Sequence, residues 1–241
     1  MTFIRTCSVR RAGAFAGLTL CLFVGSHRLG AQQQATAPSA RAAAAADRWE
    51  PAIAKFEEQD RLKPPPANAI VFIGASSIVR WNLPESFPEL GPKAINRGFG
   101  GSLIGDSVKY ADRIVIPYRP RIVVLYAGDN DVEANATADE IANQFTAFDK
   151  KVHAALPTTT IIFVSIKPSI RRWKWIDTIR GANARIRDYT TKHPNLVYVD
   201  IEKQMLGADG KPNPDLLVAD GLHMTPAGYK IWDAALRPLL K

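Results

Sequence analysis

The chain has 241 residues, 46% of them hydrophobic and 22% charged, with 16 Gly and 17 Pro. That supports one sizeable core, which excludes a wholly disordered chain, and no run of about 18 apolar residues recurs as a multi-span membrane protein requires. Basic residues exceed acidic ones for a formal charge of +8, and 2 cysteines are too few for a disulfide-stapled miniprotein or a thiolate zinc site.

Residues 1–31 have the order of a secretory signal peptide. Arg5, Arg10 and Arg11 come first, then an apolar stretch over 12–25, then Gly30-Ala31 before Gln32. Cleavage is expected after Ala31, giving an exported protein, periplasmic or secreted, with no stable membrane insertion afterwards. Cys21 follows Thr19-Leu20 without the small residue that precedes a lipidated cysteine, so a lipid anchor is not expected. Both cysteines, Cys7 and Cys21, lie in this segment. So do Arg5, Arg10, Arg11 and Arg28, with no acid, and their removal lowers the excess charge from +8 to +4. A nucleic-acid partner is therefore not expected.

Residues 32–46 are rich in Ala, Gln, Pro and Ser and read as a flexible linker. A first helix is expected over 47–61, with Asp47 as its N-cap, closed by Pro64-Pro65-Pro66. The pattern then alternates. Apolar runs at 69–73, 122–127, 161–166 and 196–199, with a shorter one at 94–96, read as buried strands. Helical stretches at 103–114, 138–156, 175–192 and 226–236 lie between and after them. This predicts a single α/β domain over 47–241: a three-layer α/β/α sandwich on a parallel sheet, with its site at the carboxyl ends of the strands.

Those ends carry the reactive side chains. Ser76 follows Gly74-Ala75 after the first strand, where a hydroxyl would stand at the sheet rim. A serine is a weak nucleophile until a base takes its proton. His223 is the candidate base, and Asp220, three residues earlier, the carboxylate that orients it. The oxyanion formed by attack needs fixed donors. The candidates are the Ser76 and Gly101 backbone N–H groups, with Gly100 as a rival to Gly101, and the Asn130 amide. Ser77 is a rival nucleophile.

In these four blocks the sequence resembles the SGNH (GDSL-type) hydrolases. Gly74-Ala75-Ser76 is similar to the nucleophile block, and Gly100-Gly101-Ser102 to the glycine block. Gly128-Asp129-Asn130-Asp131 is similar to the Gly-x-Asn-Asp block, and Asp220-x-x-His223 to the acid–base block. The likeness spans roughly residues 69–232. It implies a flavodoxin-like five-stranded parallel sheet and ester hydrolysis through an acyl-enzyme, with no cofactor and no metal. One departure stands out: Ala75 and Ser77 occupy places where the family often has Asp and Leu.

Other patterns are weaker. Gly98-x-Gly100-Gly101 has Leu103 where a dinucleotide loop needs its third glycine. Asp129, Asp131, Glu133 and Glu140 sit at calcium-loop positions, but Ala134 replaces the required glycine. Asn135-Ala136-Thr137 is a glycosylation sequon by pattern alone. Arg171-Arg172-Trp173-Lys174-Trp175 reads either as a basic aromatic lip to the site or as two tryptophans seating the next helix. The expected function is exported serine esterase or acylhydrolase, acting on a small-molecule, glycan or lipid ester and favouring short acyl or acetyl groups. The rivals are a non-catalytic glycan- or lipid-binding module on the same fold and a carbohydrate or lipid acyltransferase. Oligomeric state is not legible in the sequence.

Overall fold

A computed structural model describes residues 48–241. The expected signal peptide, linker and Asp47 cap fall outside the described residues. Helix α1 spans Glu50–Leu62, with Trp49 at the N-cap position and Pro51 in the first turn. Its start differs from expectation because a proline fits the first turn, where its missing N–H has no helical partner in any case.

The remaining elements follow in chain order: β1 (Ile70–Gly74), α2 (Ser76–Val79), α3 (Leu83–Ser86), β2 (Ala94–Gly98), α4 (Ile104–Ile114), β3 (Ile122–Tyr126), α5 (Asp129–Glu133), α6 (Ala138–Ala155), β4 (Thr160–Val164), α7 (Ile176–Thr190), β5 (Leu196–Val199), α8 (Glu202–Met205) and α9 (Pro226–Leu236). The long elements match the expected ones to within two residues. The one-turn helices α2, α3, α5 and α8 were not expected, because four or five residues carry no helical period.

The strands form one five-stranded sheet in the order β2-β1-β3-β4-β5, with every neighbouring pair parallel. This is the flavodoxin-like order, and it confirms the expected fold class. Side chains alternate across it. Val71, Ile73, Val123 and Leu125 point into a core shared with α1, α4, α6 and α7. Ile70, Phe72, Val124 and Tyr126 point into a second core with α2, α3 and α9, where Trp81, Phe87 and Trp232 pack together. Both faces are covered, which is why the strands read as continuous apolar runs. Each large apolar side chain so buried contributes about 1.5–3 kcal/mol.

Register sets the site. Gly74 stands opposite Gly98 on one side and Tyr126 on the other. Three consecutive loops therefore leave the sheet at one level, and the nucleophile, glycine and asparagine segments share one rim.

Candidate active site

At Gly74 the chain has φ +137°, and a Cβ there would lie 1.8 Å from the Tyr126 carbonyl oxygen. Only glycine fits this turn. The Ala75 N–H donates to that same carbonyl at 3.1 Å. The chain then enters α2 at Ser76, whose N–H opens the helix and has no helical acceptor. Ser76 is half-buried, whereas Ser77 is buried with its hydroxyl turned away from any protein partner.

His223, the candidate base, comes from the loop before α9. Thr225 caps that helix by accepting from the Gly228 N–H, and Pro226 occupies its first turn. Upstream, Asp220 Oδ1 accepts from the Leu222 and His223 N–H groups, each at 2.9 Å. Its Oδ2 lies 2.6 Å from His223 Nδ1. His223 Nε2 lies 2.9 Å from Ser76 Oγ. Burial pushes the Asp220 carboxyl up, but the His223 ring and the two backbone N–H groups outweigh it and hold the group well below the ordinary carboxylate range. An ionised carboxylate only accepts, so Nδ1 carries the proton and Nε2 is left to accept from the Ser76 hydroxyl.

The candidate oxyanion donors come from the loops after β2 and β3. Gly101, at φ +78°, sits in the turn closed by Ser102 N–H to the Phe99 carbonyl at 3.3 Å. Among the described residues, neither the Gly100, Gly101 nor Ser76 N–H meets a protein acceptor. A Cβ on Gly100 would stand 3.9 Å from Ser76 Cβ, which places this turn directly beside the hydroxyl. Asn130 Nδ2 donates to the Ser102 carbonyl at 3.0 Å, which leaves its second hydrogen for another acceptor. The neighbouring Asp131 Oδ1 accepts from the Ile104 N–H at 3.2 Å. Adjacent residues on α5 thus clasp both ends of the segment 102–104.

All five residues expected at the site, Ser76, Gly101, Asn130, Asp220 and His223, are thus found on one rim. Several supporting residues were not anticipated. Lys167, buried after β4, donates to Asp129 Oδ2 at 3.0 Å and to the Tyr126 hydroxyl at 3.1 Å. Arg172 Nε donates to the Asp129 carbonyl at 3.1 Å, and its guanidinium also holds Glu133. Two cations therefore grip the turn that presents Asn130. Burial pushes the Asp129 carboxyl up, but Lys167 outweighs this and the net shift is downward. From the other side Trp49 Nε1 donates to the Gly100 carbonyl at 2.9 Å, and its ring meets Phe99 edge-on. The sequence signal for Lys167 is a lone cation ending an apolar run; Trp49 gave none beyond its place in a helical stretch.

The cluster 171–175 divides. Trp175 packs against the core, as helix seating requires, and Arg172 turns inward, which neither reading foresaw. Arg171 stays exposed beside Gly221, whose carbonyl accepts its N–H at 3.0 Å. The calcium-loop carboxylates are each engaged elsewhere: Asp129 with Lys167, Asp131 with Ile104, Glu133 with Arg172 and Glu140 with Thr137.

Residues 74–231 match the GDSL-like lipase/acylhydrolase family. The chain belongs to that family. Ester hydrolysis is the activity the family supports. No curated protein matches the chain. Solved structures do. A Streptococcus pneumonia protein provisionally described as a platelet activating factor superposes with TM-score 0.71 at 22% identity, over 85% of this chain and 100% of its own. A GDSL-like lipase from Bacteroides thetaiotaomicron gives 0.67 at 22%, over 78% and 96%. A family 3 carbohydrate esterase from Talaromyces cellulolyticus gives 0.58 at 22%, over 71% and 96%. At such identities these neighbours share the GDSL-hydrolase fold.

Proposed function

We propose that this GDSL-family chain is an exported serine esterase that cleaves carboxylic esters with short acyl or acetyl groups through an acyl-enzyme. The observation that carries the reading is the continuous hydrogen-bonded line from Ser76 Oγ through His223 to Asp220, at 2.9 Å and 2.6 Å. His223 takes the Ser76 proton as Oγ attacks the carbonyl carbon. The ester C=O electrons move onto its oxygen, where the Ser76 and Gly101 N–H groups and Asn130 Nδ2 donate. As the tetrahedral adduct collapses, His223 returns the proton to the departing alkoxide. Water then attacks the acyl carbonyl as His223 takes its proton, and the second adduct collapses to release the acid while His223 returns the proton to Ser76 Oγ.

Short acyl groups are favoured because the sequence between the strand ends carries no long apolar insertion to roof a fatty chain. A panel of p-nitrophenyl esters graded by length, together with acetylated sugars, tests this. Activity on a short ester in the wild type, absent in Ser76→Ala, is the expected result, with rapid fluorophosphonate labelling of the wild type alone. Equal rates in the two proteins would exclude Ser76 as nucleophile. Export rests on the charged-then-apolar order of residues 1–31. N-terminal sequencing of the protein recovered outside the cytoplasm should begin at Gln32.

A further inference from the structure

Arginines across the described residues are mostly neutralised. Arg97, Arg113, Arg172, Arg185 and Arg237 each hold a carboxylate, and Arg121 holds the Leu240 and Lys241 carbonyls. Among the described residues Arg48, Arg80, Arg119 and Arg171 have neither kind of partner. Arg119 lies ahead of β3, at the amino end of the sheet. The other three lie beside segments of the carboxyl rim: Arg48 by Gly101, Arg80 at the end of α2 and Arg171 by Gly221.

Arg48 is the most closely held. Its guanidinium lies over the Trp49 ring, 4.8 Å from the centroid, and Trp49 is itself tied to the Gly100 carbonyl. Arg48 Nη2 stands 3.1 Å from the point a Gly101 Cβ would occupy, so the cation overhangs the proposed oxyanion glycine. Asp106, a carboxylate close enough to feel its charge, is already bound to the Leu103 N–H at 2.8 Å. Arg80 follows Ser76 by one turn and lines a cavity of about 450 Å³ beside Met224, the neighbour of His223. The acids of that cavity are committed, Glu85 to the Asn82 amide at 2.8 Å and Asp233 to the Trp81 indole at 3.0 Å. Arg171 borders Asp220, whose carboxylate faces the His223 ring. Arg80 and Arg171 each line a cavity that also holds carboxylates, whereas Arg48 stands directly against the proposed oxyanion turn.

We propose that Arg48 is a specificity-determining residue that selects esters carrying a negative charge, carboxylate or phosphate, close to the scissile carbonyl. The inference rests on the esterase reading above and names its substrate class. A guanidinium set over the oxyanion turn is positioned to bind an anionic substituent of the ester while the carbonyl oxygen occupies the turn. Its planar fork suits either anion. The substituent belongs either to the acyl or to the alcohol part, and two matched pairs separate these sources.

The test measures kcat/KM for p-nitrophenyl butyrate against mono-p-nitrophenyl succinate, and for O-acetylated methyl glucoside against O-acetylated methyl glucuronide. Background rates are taken with Ser76→Ala. In the wild type the anionic member of at least one pair should be the better substrate, and added salt should erode the preference. Arg48→Gln should lower that anionic-to-neutral ratio by about ten- to a hundredfold, the range of a charge-assisted hydrogen bond. Arg48→Lys should fall between, and Arg119→Gln should keep the wild-type ratio. A wild type with no anionic preference in either pair overturns the inference alone, as does Arg48→Gln lowering both members alike. A wild type that hydrolyses none of the four esters overturns the esterase reading and this inference with it.

Discussion

Lys167 Nζ faces Asp129 Oδ2 at 3.0 Å beneath the turn that carries Asn130, with both side chains buried. Each charge has lost its hydration, and the pair, joined by the Tyr126 hydroxyl, replaces only part of it; Asp129 Oδ1 has no protein partner. Removing one member leaves the other charged in an apolar setting. Lys167→Met is expected to cost about 3–5 kcal/mol in urea unfolding, and the double variant Lys167→Met/Asp129→Asn to recover most of that. Unchanged stability in the single variant would show that the pair is dispensable.

Asp131 gives a pH dependence. Burial, with the Asp129 charge adding to it, raises its carboxyl from 3.8 to about 7, although the Ile104 N–H pulls the other way. The folded chain therefore binds this proton more tightly than the unfolded one. The stabilisation is complete below about pH 4 and is lost as pH rises through about 7. Asp131→Asn keeps an acceptor for Ile104 and never ionises. Its melting temperature should climb relative to the wild type between pH 4 and pH 8 and level off above. A difference independent of pH would refute the assignment.

Asp220→Asn probes the tautomer. The amide oxygen still accepts from the Leu222 and His223 N–H groups, so the loop keeps its shape. The amide nitrogen then faces Nδ1, which moves the imidazole proton to Nε2 and blocks acceptance from Ser76. A loss of order 10⁴ in kcat with little change in melting temperature is expected. Near-normal turnover would mean that His223 is oriented by something else.

Asn130→Ala removes one proposed oxyanion donor and its tie to Ser102. The expected loss in kcat is about 10²–10³ with KM changing little. A rise in KM at constant kcat would assign Asn130 to ground-state binding.

Much of this was legible in the sequence, for identifiable reasons. A parallel sheet buried on both faces leaves unbroken apolar runs, so β1, β3 and β5 could be read directly. Ser76, Asn130 and the Asp220–His223 pair could be read because they sit at strand ends or before a capped helix, where chain direction alone fixes their rim. What escaped was held by contacts distant in sequence. Arg172 looked like surface charge until Glu133 and the Asp129 carbonyl, about forty residues earlier, were seen to receive it. Trp49 looked like an ordinary helix residue, because nothing local announces a bond to Gly100, 51 residues on.

The separation of the proposed nucleophile and base along the chain also bears on biosynthesis. His223 follows Ser76 by 147 residues. A nascent polypeptide has made its hydroxyl, its glycine turn and its amide well before the ribosome reaches the imidazole. On the proposed mechanism the hydrolytic machinery is therefore complete only late in translation, and a chain cut short before His223 would hold a serine without its base.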